Sequence, residues 1–287
     1  MIRGKRTVYE NVLNIPEATV GEFAIRHMVK PAGAPVPTSN LRTALYRGQA
    51  QPSVVYDHET RWHSLTEGDG VWMTDYPIEQ IQHDEELKGM RDSILIGGLG
   101  LGYAATALAQ RRTVKRIVVV EKQPEVVALV APHIAHPKIT VVTADLFDYL
   151  KAGAEGQRFS YGFYDIWQSD GETTFHHVVM PLRQLSRGLV GSVTCWNEIV
   201  MRGQLLNGLH SRLLMLDHPQ SSLTLEALTA GLEDDNTAAV YVNWAKPYWA
   251  WFAGAQPSQR VAMQKAAQFV KYYGRVDPEM LPHVLGS

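Results

Sequence analysis

A single cysteine, Cys195, is all the thiol this sequence holds. One cysteine excludes a disulfide framework within the chain and argues against a cysteine-built zinc site. It lies in the apolar run "LVGSVTCWNE", where a packed thiol is the simpler reading than a nucleophile. Long apolar runs are missing too. No window approaches the roughly 18 consecutive apolar residues that a membrane helix needs, and "MIRGKRTVYENVLNIPE" has no apolar stretch after its charges, so no signal peptide is read. Charge of one sign is also lacking: 27 Lys+Arg stand against 29 Asp+Glu, a formal net charge of -2. The chain thus has no overall basic footprint for nucleic acid, and the runs "RGKR" and "QRRTVKR" read as solvated faces. Internal repeats and low-complexity tracts are absent. A cytoplasmic protein with a small-molecule substrate is the expectation, with a homodimer among the expected assemblies.

What is present is a core-forming composition, 45% hydrophobic over 287 residues. Residues 1–75 carry short alternating or β-branched runs, "VGEFAIRHMVK", "PSVVYDHETRWHSL" and "VWMT". They are broken by the proline-rich loop "PAGAPVPTSN" and the turn "EGDG". This predicts a small, mostly β N-terminal region. A polar helix is expected over 77–89, with Pro77 in its first turn and Gly89 at its end.

From Ser93 onward, strands and helices alternate. The strands "SILIGG", "RIVVVE", "KITVVTA", "YGFYDIW" and "GLVGSVTCW" are continuous apolar runs, as in a parallel sheet buried on both faces. Helices are expected at "YAATALAQ", "PEVVALVAPHI", "DLFDYLKAG" and "TTFHHVVMPLRQLSR", the last bent near Pro181. The fold class is therefore α/β, a doubly wound Rossmann-like sheet over 76–200. Residues 201–287 are read as a mostly helical C-terminal cap, from "EIVMRGQLLNGLHSRLLML", "SSLTLEALTAGL" and "PSQRVAMQKAAQFVKYY".

In such a sheet the ligand sits beyond the carboxyl ends of the strands. The first strand ends in Gly97, Gly98, Gly100 and Gly102, which permit close backbone approach. The second ends in Glu121, placed to accept from ribose hydroxyls. Those two features fit NAD and S-adenosylmethionine (SAM) equally well. The third strand ends in Asp145, followed by Leu146, and a carboxylate there can accept from an adenine amine. That second acid is not part of the dinucleotide fingerprint and favours SAM. The fourth strand ends in Asp165, with Trp167 and Gln168 on the expected substrate side. His83 and Tyr76 precede the glycine loop. The pairs His176/His177 and His133/His136 come with no carboxylate cluster at ligand spacing, so no metal is expected.

These motifs resemble the class I SAM-dependent methyltransferases, and within them the spermidine-synthase-like branch. The resemblance covers about residues 70–200 and rests on "ILIGGLGLG", "RIVVVEKQPEVV", "VVTADLFDYL" and "YGFYDIWQSD". The stretch "VWMTD…GLGLG…DIW" also resembles uncharacterised methyltransferase-like proteins of tailed bacteriophages, which would place the protein in a host cytoplasm. The resemblance implies SAM as cofactor, held by Gly97, Gly98, Gly100, Gly102, Glu121, Asp145 and Leu146. Two departures matter. Polyamine synthases carry an acid at the position of Gly100, and an acidic and serine-rich run where this chain has Trp167 and Gln168. Both weaken an aminopropyl transferase. The expected function is methyl transfer to a small acceptor, with Asp165 and then His83 as the catalytic candidates and Tyr76 and Trp167 as an aromatic wall. The rivals are aminopropyl transfer, an NAD-dependent oxidoreductase and a non-catalytic SAM-binding scaffold. For His83, the competing reading is a solvated helix histidine.

Overall fold

A computed structural model describes residues 13–34, 58–168, 174–214, 246–248, 250–252 and 254–272. The first elements form an antiparallel meander of four strands: β1 (Ala18–Val20), β2 (Phe23–Lys30), β3 (Thr60–Glu67) and β4 (Gly70–Thr74). β2 pairs with β3 along its whole length, from Phe23↔Glu67 to Lys30↔Thr60. Alternation of side chains buries Phe23, Ile25 and Leu65 on one face.

Helix α1 (Pro77–Glu86) follows, with proline in its first turn. The alternating segment is then β5 (Asp92–Gly97), α2 (Tyr103–Ala109), β6 (Val114–Glu121), α3 (Pro124–Val130), β7 (Ile139–Thr143), α4 (Leu146–Lys151) and β8 (Phe159–Tyr164). After a π-helical turn over Phe175–Val179 come α5 (Met180–Leu185), β9 (Val190–Cys195), α6 (Glu198–Leu214) and α7 (Gln259–Tyr272). The five later strands make a parallel sheet in the order β7-β6-β5-β8-β9. Counted from β5 as the first, the order is 3-2-1-4-5, so the direction of winding reverses between β5 and β8. The expected doubly wound α/β sheet is the one observed.

Two expected helices differ in detail. The run 124–134 is α-helical only to Val130 and continues as a 3₁₀ turn over Ala131–His133. Pro132 has no N–H to continue the α ladder. The run around Pro181 starts as a π turn, in which Met180 N–H reaches back to the Phe175 carbonyl. Pro181, next in line, has no N–H to donate. The helix expected at "SSLTLEALTAGL" lies outside the described residues, as does most of the loop "PAGAPVPTSN".

The described residues fall into two compact units. One comprises those within Met1–Gln168 and Leu185–Trp196, the other those within Ser169–Gln184 and Asn197–Ser287. In the first unit the N-terminal sheet shares its core with the parallel sheet. Leu13, Ile15, Phe23, Ile25 and Leu65 belong to one cluster with Ile94, Ile96, Leu101, Leu108, Ile117 and Val119. Each such side chain contributes about 1.5–3 kcal/mol relative to an exposed one. In the second unit Glu198 lies between two arginines. It pairs with Arg183 and, at 2.6 Å, with Arg202. Burial pushes the Glu198 carboxyl up, but Arg202 and Arg183 outweigh it and hold the group below the usual carboxylate range. Arg202 also donates to the carbonyl of Val270 near the end of α7 and lies over the Phe175 ring. Among the described residues, no helix is long and apolar enough to cross a membrane.

Candidate functional site

The reversal of strand order brings the end of β8 against the glycine loop. Gly97 and Tyr164 are register partners, and Asp165 N–H donates to the Gly97 carbonyl at 2.9 Å. A Cβ on Gly98 would stand 2.1 Å from the Asp165 carbonyl oxygen, so only glycine lets the two strand ends meet. The other loop glycines are also packed by protein. The Cβ direction of Gly97 is filled by Leu146, that of Gly100 by Met73 and that of Gly102 by Ile134. The glycines therefore serve close packing of the loop, a role the sequence motif alone did not separate from ligand approach.

Glu121, at the end of β6, ties this loop down. Its carboxylate accepts from Leu99 N–H at 2.7 Å and from Gln123 N–H at 2.9 Å, and the residue is buried. Each carboxylate oxygen retains further acceptor capacity. Asp145, after β7, caps α4 by accepting from Phe147 N–H at 2.8 Å. Its second oxygen lies 3.3 Å from Lys122 Nζ. Leu146 is buried against Gly97, and so faces the core.

His83 and Asp165, far apart in sequence, come together. His83 Nε2 is 3.8 Å from Asp165 Oδ2. That is too long for a hydrogen bond and close enough for a shared partner. His83 is buried, not solvated, because three rings enclose it. Trp196 stacks on it at 4.1 Å between centroids, and Tyr103 and Phe163 meet it edge-on at 5.6 Å. His83 Nδ1 lies 2.9 Å from the Glu79 carbonyl one turn earlier. A carbonyl only accepts, so Nδ1 carries the hydrogen, and the lone pair of the neutral ring is on Nε2.

The expected aromatic wall divides. Tyr76 packs on buried Trp62, with centroids 4.8 Å apart, in a cluster of the N-terminal sheet. Trp167 is half-buried, and its Nε1 is buried with no hydrogen-bond partner. Gln168 is exposed. The rings that do surround a polar group are Trp196, Tyr103 and Phe163, which the sequence motifs did not mark.

Glu79 is a further residue that the motifs do not mark. Its carboxylate accepts from Thr74 Oγ1 at 2.8 Å. Burial raises its pKa to about 7, against the Thr74 hydrogen bond and the charge of His83, which lower it, while Asp165 and Asp75 add to the rise. One signal for it lies in the sequence, because Glu79 and His83 are spaced i,i+4 and share one face of α1. Behind them, Asp75 Oδ2 lies 2.6 Å from His63 Nδ1, with both residues buried. Among the described residues, no group of three His, Cys, Asp or Glu could hold a metal ion.

No family model matches the chain, and no curated protein does. Some solved structures resemble part of it. A Streptococcus mutans protein described as a SAM-dependent methyltransferase matches at 17% identity and TM-score 0.35, over 50% of this chain and 40% of its own. Spermidine synthase from Thermotoga maritima matches at 13% identity and TM-score 0.33, over 49% of this chain and 58% of its own. The N-terminal domain of EvdMO1, solved with S-adenosylhomocysteine (SAH) and D-fucose, matches at 17% identity and TM-score 0.28, over 41% and 48%. Each match thus spans about half of the other protein's chain. Likeness at that level carries no argument about activity, so the functional reading rests on the geometry of the site.

Proposed function

We propose that this protein is a SAM-dependent methyltransferase acting on a small acceptor that bears an N–H or O–H group. One observation carries the reading. Asp165 is fixed against the glycine loop at the reversal of strand order and faces His83 Nε2 across 3.8 Å. A ligand at that reversal would lie between the loop and these two groups.

The residues present fit SAM. The Glu121 carboxylate retains acceptor capacity for ribose hydroxyls, and Asp145, partly exposed, could accept from the adenine amine. The bound cofactor would supply a methyl group already made electrophilic by its sulfonium. The chain's own part is then to align the acceptor and take its proton. Asp165 Oδ2 and His83 Nε2 are two hydrogen-bond acceptors 3.8 Å apart, which suits a donor held between them. The Glu79 carbonyl keeps the ring in the tautomer that leaves Nε2 free to receive that proton. Trp196, Tyr103 and Phe163 exclude water from the other sides of the imidazole. Aminopropyl transfer is disfavoured, because the position of a loop acid is Gly100, whose Cβ direction is filled by Met73.

Calorimetric titration with SAM, and separately with NADH, tests the reading. SAM should bind, and Glu121→Ala and Asp145→Ala should each weaken it. Undiminished affinity in both variants, or binding of NADH alone, would overturn the assignment. SAM binding with no turnover on any N–H or O–H acceptor would favour the scaffold reading.

A further inference from the structure

Of the three rings around His83, one differs in geometry. Tyr103 and Phe163 cross the imidazole at 69° and 61°, with centroids 5.6 Å away. Trp196 lies 22° from parallel, at 4.1 Å. Of the three, Trp196 alone lays its π face on the imidazole. We propose that Trp196 is a positioning residue, which holds the His83 ring against Asp165 and stabilises the imidazolium formed when Nε2 takes the acceptor's proton. This rests on the methyltransferase reading of the site.

The sheet fixes the arrangement. Asp165 and Trp196 are the first residues past the neighbouring strands β8 and β9. The backbone ladder continues through both. Asp165 N–H donates to the Gly97 carbonyl and Trp196 N–H to the Tyr164 carbonyl, each at 2.9 Å. The Asp165 carboxylate thus stands 3.8 Å from Nε2, while the indole covers the face of the ring. In the reaction the acceptor's N–H or O–H bond breaks. Its electron pair stays on the nitrogen or oxygen that takes the methyl group, and the proton goes to Nε2. A positive charge then appears on a buried ring, where an unbalanced charge is costly. An indole face within about 6 Å of a cation attracts it, and does so more strongly when the pair is desolvated. The titratable groups around the imidazole are Asp165 from β8, Tyr103 from α2 and, on α1 itself, Glu79 and Asp84. Asp84 accepts from Tyr103 Oη at 3.0 Å. Unlike these groups, the indole acts without a proton of its own to gain or lose, so its contribution is the same at every pH.

The test needs no acceptor. Nitrogen NMR across a pH series reads the ratio of imidazolium to imidazole at His83, whose signal is the one lost in His83→Gln. At any one pH that ratio should be about tenfold lower in Trp196→Leu than in the wild type. It should be about threefold lower in Trp196→Phe, which keeps a ring with a weaker face. The sign separates this role from simple space-filling. If Trp196 only kept water out, its loss would hydrate the imidazole and favour the charged form, so the ratio would rise. An unmoved or raised ratio in folded Trp196→Leu overturns the proposal. Should that variant fail to fold, Trp196→Phe decides by the same criterion. Calorimetry with SAM on the wild-type protein tests the other reading. Failure to bind SAM would overturn the methyltransferase assignment while leaving the Trp196–His83 coupling measurable.

Discussion

The thioether of Met73 stands where a side chain on residue 100 would have to begin. Met73 Sδ is 2.2 Å from an ideal Cβ on Gly100, and it accepts from Leu101 N–H at 3.2 Å. Strand β4 of the antiparallel sheet thereby reaches the loop of the parallel sheet. Thr74, next along, reaches Glu79, and Asp75 reaches His63.

Gly100→Ala should therefore destabilise the protein. Overpacking against Met73 should cost on the order of 1–3 kcal/mol. The backbone φ of +51° adds about 1 kcal/mol of left-handed strain. Met73→Ala combined with Gly100→Ala should recover the packing part and leave the strain, as a double-mutant cycle by urea unfolding will measure.

Asp145 is a helix cap as well as a cofactor candidate. Asp145→Ala should lower stability by about 1 kcal/mol through loss of the bond to Phe147 N–H, and Asp145→Asn should restore most of it. Chemical denaturation distinguishes these outcomes.

Glu79 should make the protein less stable as pH rises. Its folded pKa is raised from 4.5 to about 7, so between those values the native state binds the extra proton. Stability from this group is present at low pH and is lost as pH rises through about 7. At about 1.4 kcal/mol per pH unit, the loss is at most about 3.5 kcal/mol. Glu79→Gln should flatten the stability profile across that window, read as melting temperature against pH.

Glu198 has the opposite sign. Its carboxyl is held below 4.5, so its contribution is present above 4.5 and lost as pH falls through the depressed folded value. Glu198→Gln should destabilise the second unit by about 3–5 kcal/mol, because Arg183 and Arg202 lose the charge they share. Acid unfolding followed by fluorescence and circular dichroism checks both statements.

The alternation of apolar runs and helices determined the parallel sheet. Strands buried on both faces must be apolar throughout, and that requirement is local. The glycines were equally legible, and so was the placing of Glu121, Asp145 and Asp165 at strand ends. Local sequence could not say what those groups face. Leu146 follows a motif acid but turns inward onto Gly97, because the loop has no side chain there to keep it out. Tyr76 stands beside the site in sequence but stacks on Trp62, because the antiparallel sheet supplies a nearer apolar surface. Only the tertiary structure set His83 opposite Asp165 and placed Trp196, 113 positions on from His83, over its ring. Those contacts depend on the strand order reversing between β5 and β8, a property of the whole sheet that no single segment encodes.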